Sequence, residues 1–182
     1  MPRIAPITGK ADVPAAHHGV VDAVVKVFGG VRGPFSMLLH SPPLAERLLP
    51  LVTFFRDEST VEGKLRSVAV LAAVREREAA YVWSAQVGQA RRNGVAEAII
   101  DVLRAKSDPA GLPTDEREIV VYVRHLMRTN KVDQAAFDAL AKRHDARWMV
   151  EMTAAANYFA MLCGVVNAFE VPAPPDGDKL PA

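Results

Sequence analysis

From Lys64 to Val87 the chain contains neither glycine nor proline, and its first half is apolar on every side, with Leu65, Val68, Ala69, Leu71, Ala72, Ala73 and Val74 in succession. A helix satisfies its own backbone over such a run, and a helix that is apolar all round has to be buried. Gly94 stands where a helix ends, directly after the cations Arg91 and Arg92, which suit the negative end of the helix dipole. The charged run Arg75-Glu-Arg-Glu78 interrupts the segment. Its pattern leaves open whether one helix or two result.

The other elements arrange themselves around this one. Residues 1–14 hold three prolines and read as an extended arm. His17 to Phe28 forms a helix ended by Gly29-Gly30, and GPFSMLLHSPP contains a short one with Pro34 near its start. Ser41-Pro42 opens a helix to about Arg56 with Leu44, Leu48, Leu51, Val52 and Phe55 facing inward. Ser59-Thr-Val-Glu62 fits a capping box for the central segment. Val95 to Lys106, a helix capped by Thr114 or Asp115, one capped by Asp133 and one from about Ala146 capped by Asp145 complete the set. The last is rich in small residues, with Ala154, Ala155, Ala156, Ala160 and Gly164. The proline-rich tail, residues 171–182, is expected to be disordered unless a partner orders it. No period-two alternation occurs, so the fold class is all-α, with about seven helices in a single domain over residues 15–170.

Composition narrows the function. The net charge of +1 gives no case for nucleic acid or an anionic membrane. The single cysteine, Cys163, excludes an internal disulfide. The scattered histidines offer no metal-ligand spacing, so neither metal nor cofactor is expected. Residues 1–14 lack the apolar core of a secretion signal, no apolar run reaches the ~20 residues of a membrane span, and the expected location is cytoplasmic.

With the helices in this order, the sequence resembles the carboxymuconolactone decarboxylase family of the alkylhydroperoxidase D-like superfamily. The resemblance runs from about Pro34 to Val171. It is carried by His40-Ser-Pro-Pro-Leu44, Lys64-Leu-Arg66, Tyr81-Val-Trp83, Gly94-Val95, Trp148-Met-Val-Glu151, Asn157-Tyr158 and Val165-Val-Asn-Ala-Phe169. It implies an all-helical subunit that assembles as a homo-oligomer, trimer or hexamer, with pockets between helices. The departures are equally specific. The decarboxylase pattern Leu-Arg-Glu followed by Tyr-Glu-Trp-x-x-His has Ser67, Val82 and Gln86 at its three ionisable positions here. The peroxidase pattern, a glutamate and then Cys-x-x-Cys-x-x-x-His, meets Ser67, Ala79, Val82 and Gln86.

Thiol peroxidase chemistry needs a low-pKa thiolate and a resolving cysteine, and the chain supplies neither. Ser67 and Gln86 can orient a ligand through hydrogen bonds or simply satisfy each other in the interior. Arg66 and Arg75 are candidates to clamp a substrate carboxylate. Glu76 or Glu78 could serve as a displaced catalytic base if burial raised its pKa. Tyr81 and Trp83 lie two apart on the helix, so one can wall a pocket while the other packs elsewhere. Two functions follow. One is an enzyme of the carboxymuconolactone decarboxylase kind, a lyase acting on a small carboxylated or lactone substrate with rearranged groups. The other is a catalytically degenerate oligomer that binds a small ligand or a partner. An antioxidant peroxidase follows from superfamily alone and is opposed by the missing thiols.

Overall fold

The computed structural model describes residues 2–181. Among them are nine α-helices and no strand: α1 His18–Phe28, α2 Pro34–Leu38, α3 Pro42–Asp57, α4 Gly63–Glu76, α5 Ala80–Arg92, α6 Glu97–Arg104, α7 Thr114–Thr129, α8 Gln134–Ala141 and α9 Ala146–Ala168. The all-α class holds. The number exceeds the expected seven partly because the central segment divides.

The division falls at Arg77–Ala79. Glu78 takes the left-handed conformation with φ 52°, and Ala79 N–H reaches back to the Val74 carbonyl at 3.4 Å, the closure of a helix C-terminus. Glycine usually fills this place, since a side chain in that region costs about 1–2 kcal/mol. Ion pairs from the Glu78 carboxylate to Arg75 and Lys106 hold it there. The chain then turns into α5. That helix ends as the sequence indicates, with Gly94 at φ 80° and Val95 N–H on the Ala90 carbonyl at 3.0 Å.

Helix α4 is the axis of the molecule. Val68 through Val74 are all buried, and α4 packs against α5, α7 and α9. A second apolar cluster gathers α1, α2 and α3 on Ala155, Tyr158 and Leu162 of α9, and Phe159 touches both clusters. Helix α9 is long and apolar enough to span a membrane, with a mean hydropathy of 1.4, contrary to the reading that no segment is. Here it serves both clusters as a core helix.

Asp133 and Asp145 cap α8 and α9, accepting from Ala136 N–H at 2.7 Å and Trp148 N–H at 2.8 Å. Ser41 stands at the N-cap of α3 with Pro42 opening the helix, as expected, although without a side-chain cap bond; two other capping expectations fail. Ser59 and Thr60 bind the Glu151 carboxylate of α9 instead of closing a box with Glu62. Helix α7 begins after Pro113, with Thr114 already inside it and Asp115 paired to Arg143. On α3 the apolar band is wider than the face that packs. Ala45, Leu49 and Phe55 are buried, whereas Leu44 and Leu51, expected inside, are exposed.

The first and last described segments are both docked. Arg3 N–H meets the Phe169 carbonyl at 2.9 Å, Ile7 N–H meets the Ser36 carbonyl at 3.0 Å, and the Ile7 side chain is buried. The tail expected to be disordered lies along α5. Val171 and Leu180 pack on the core, and Asp178 binds Trp83, Arg91 and Arg104.

Candidate functional site

Where the two apolar clusters meet, they leave a cavity of ≈ 500 Å³. Val27, Phe28, Phe35 and Phe55 come from the α1–α3 side, Val70 and Val82 from the α4–α5 side, and Phe159 from α9. Its polar lining is Arg32, Arg56, Arg66, Arg92, Ser67, Gln86, Gln89 and Asn93. Among the described residues no carboxylate, imidazole or thiol lines it.

The arginines differ in their partners. Arg56 is satisfied by both oxygens of Asp57, at 2.8 Å each. Arg32 donates to the Phe28 carbonyl at 2.8 Å, Arg66 to the Val61 carbonyl at 3.0 Å, and Arg92 to the Gln89 side-chain oxygen at 2.8 Å. These three arginines line one cavity with neutral oxygens as their partners among the described residues, Arg66 half-buried and Arg32 and Arg92 exposed. Burial depresses the basicity of Arg66, and the nearby Asp57 carboxylate opposes that. Such a cation retains unspent attraction for an anion, because its partial desolvation is not repaid by a charge.

One wall is a closed relay of neutral groups. Gln89 donates to the Asn93 side-chain oxygen at 3.1 Å, Asn93 donates to the Ser67 hydroxyl at 2.8 Å, and Ser67 donates to the Gly63 carbonyl at 2.8 Å. Ser67 is thus satisfied by Asn93 and Gly63, and of the two alternatives for Ser67 and Gln86 their mutual pairing does not occur. Gln86 stands half-buried on the cavity, its amide bonded to none of the described residues.

Tyr81 forms another part of the wall. Burial raises its hydroxyl above the ordinary phenol pKa, with Arg32 opposing, so it is a protonated donor at neutral pH. Its ring lies against the backbone at Gly33, where an added Cβ would come 2.3 Å from Cε1. Gly33 also has φ 58°, so the α1–α2 turn needs glycine on both counts.

Of the eight candidate site residues, Arg66, Ser67, Tyr81 and Gln86 converge on this cavity, and Arg75, Glu76, Trp83 and Glu78 lie outside its lining. Arg75 is spent on the Arg104 carbonyl at 2.7 Å and on Glu78. Glu76 accepts both nitrogens of Arg128, at 2.9 and 2.7 Å. Its burial would raise the pKa, but the hydrogen bond and charge of Arg128 outweigh that and hold it below the carboxylate norm. A base poised near neutrality needs the opposite shift. Glu78 is a solvent-facing carboxylate that secures the α4–α5 turn. Trp83 is fully buried and turns its indole N–H to Asp178. Cys163 is buried, and its surroundings push the thiol up to about 12, which removes thiolate chemistry.

Sequence reasoning missed Arg32, Arg92, Gln89 and Asn93. Arg92, a cation at the end of α5, stands one turn beyond Gln89 and lines the cavity with it.

No protein-family model and no curated protein matches the chain. Solved structures do. An uncharacterised peroxidase-related protein with an alkylhydroperoxidase AhpD core, from Ralstonia eutropha JMP134, superposes with TM-score 0.76 at 16% identity, covering 95% of each chain. The fold is that of the alkylhydroperoxidase D-like proteins. The debrominase Bmp8, solved in complex with 2,3,4-tribromopyrrole, gives TM-score 0.75 at 16% identity over 96% of this chain and 95% of its own. A putative antioxidant defence protein AhpD from Agrobacterium tumefaciens gives 0.68 at 14% identity, covering 80% of this chain and 100% of its own. Within this alkylhydroperoxidase D-like fold, Ser67, Val82 and Gln86, the positions where the resembled decarboxylases carry ionisable groups, all line the cavity.

Proposed function

We propose that this protein binds a small ring-bearing carboxylate or lactone acid in the cavity between α1–α3 and α4–α5, without the acid–base relay of the decarboxylases it resembles. The observation that carries this reading is the set of Arg32, Arg66 and Arg92, three guanidiniums without a carboxylate partner, above an aromatic and aliphatic floor. Guanidinium pairs with carboxylate through two parallel hydrogen bonds, and the phenylalanines accept a flat ring. Ser67, Asn93 and Gln89 are already bonded to one another and serve as a rigid wall. Gln86 and Tyr81 supply the free polar contacts. Lining groups that cannot cycle a proton near neutral pH favour a binding role over a lyase.

Calorimetric titration with 2-naphthoate and its uncharged counterpart 2-naphthamide tests the reading. The carboxylate should bind and the amide bind much more weakly. Arg66→Gln should reduce carboxylate affinity about tenfold or more, the scale of a charge-assisted hydrogen bond. Equal binding of the two probes would contradict it.

The same reading includes a homo-oligomer. Val150, Ala154, Asn157, Met161 and Gly164 recur at helical spacing along one exposed face of α9, a seam that suits close approach of a second helix. Sedimentation equilibrium at micromolar protein checks this, and a stable monomer would remove it.

A further inference from the structure

The tail between Val171 and Asp178 has an unusual attachment. Val171 N–H bonds the Val166 carbonyl at 2.9 Å, and Gly177 N–H bonds the Pro174 carbonyl at 3.0 Å within the tail itself. Among the described residues, no backbone hydrogen bond joins 172–177 to the body of the protein. Three prolines, Pro172, Pro174 and Pro175, stiffen this span. Its far end is fixed by the Asp178 side chain, and beyond it Leu180 packs on the core. Asp178 accepts from Arg91 and Arg104, each at 2.9 Å, and from the Trp83 indole at 3.3 Å. Between these anchors Pro174 reaches the cavity lining, and Gly177 lies so close to Ser84 of α5 that a Cβ there would stand 1.9 Å from its Oγ and 2.9 Å from its Cβ.

The strap is thus hinged at one end, latched at the other, and contributes Pro174 to the cavity wall. We propose that residues 172–177 are the gate of the ligand cavity and that Asp178 is its latch, released when its grip on Arg91, Arg104 and Trp83 is lost. The inference rests on the ligand reading above and adds how the ligand enters and leaves. Asp178 and its partners Trp83, Arg91 and Arg104 do not line the cavity, so the latch can be altered without removing the arginines that do. Arg91 keeps its pairing with Glu97 when Asp178 is neutralised, and α5 remains anchored to α6.

Two variants of the full chain loosen the strap independently. Asp178→Asn removes the charge from the latch. Gly177→Ala inserts the Cβ that Ser84 has no room for, since the Ser84 Cβ cannot rotate away. Circular dichroism establishes that each variant is folded. Stopped-flow displacement of bound 2-naphthoate should show release accelerated about tenfold or more in both. Affinity should change less than the rates, because entry is opened as well as exit. Release as slow as in the unaltered protein would overturn the gate. A second readout needs no ligand. In a Trp148→Phe background, iodide should quench Trp83 fluorescence more strongly once Asp178→Asn lifts the strap. If the unaltered protein fails to bind 2-naphthoate while the quenching rises, the ligand class falls and the movable strap stands. If quenching is unchanged, the strap does not open through its latch and the inference fails whatever the ligand.

Discussion

Asn93 donates its side-chain amide to the hydroxyl of Ser67 at 2.8 Å, and this bond joins the end of α5 to the start of α4 across the cavity wall. It fills the place that a glutamate holds in the resembled decarboxylases with a neutral, fully bonded pair. Ser67→Ala removes the central member of the relay, although Asn93 keeps its bond to the Gly63 carbonyl at 3.2 Å. The expected loss of stability is about 1 kcal/mol, read as a shift of the urea midpoint with an unchanged slope. A role for Ser67 as nucleophile would instead show as loss of turnover without loss of stability.

Glu78 is a turn residue in this account, with no part in proton transfer. Glu78→Ala loses its ion pairs while keeping a side chain in the left-handed region, whereas Glu78→Gly loses the same pairs and relieves the backbone. The glycine variant should therefore be the more stable by about 1 kcal/mol in paired denaturation curves. Affinity for 2-naphthoate should be the same in both, since Glu78 stands outside the cavity.

The contact between Gly33 and Tyr81 couples the α1–α2 turn to the cavity. Gly33→Ala drives a methyl group against the Cε1 edge of the Tyr81 ring and strains a positive φ. Stability should fall by more than about 1 kcal/mol, and the displaced ring should weaken 2-naphthoate binding. Tyr81→Ala in the same background should restore part of the stability, because the clash is with that ring.

Glu151 predicts the acid limb of the stability curve. Its burial alone would raise the pKa, but hydrogen bonds from Arg147, Thr60 and Ser59 outweigh this and bring it from 4.5 down to about 2. A carboxylate with a depressed folded-state pKa contributes stability above the unfolded value and loses it as pH falls through the folded one. Stability should thus decline between about pH 4.5 and about pH 2. Glu151→Gln should be less stable at pH 7 and show a shallower decline across that window in thermal melts.

The fold was legible because its determinants are local. The apolar run of α4, Gly94 at the end of α5, and Asp133 and Asp145 at two helix starts all act within a few residues of themselves. Misreadings came where a local signal competed with a distant partner. Ser59 and Thr60 look like a helix start but are taken by Glu151, far along the chain. The sequence does not show the break at Glu78 because glutamate fills the left-handed position, and only Arg75 and Lys106 explain how it is held. The cavity was legible in part. Arg66, Ser67, Tyr81 and Gln86 share one stretch of sequence, while Arg32 arrives from a separate turn. The tail's order depends on Asp178 finding two arginines on different helices, which no tail composition reveals.

The most direct test of the central claim is a crystal structure of the full chain with 2-naphthoate bound. The account predicts the naphthalene ring against Phe55 or Phe159 and its carboxylate on at least two of Arg32, Arg66 and Arg92. A naphthoate seated elsewhere, or lying in the cavity with its carboxylate turned away from all three arginines, would contradict it.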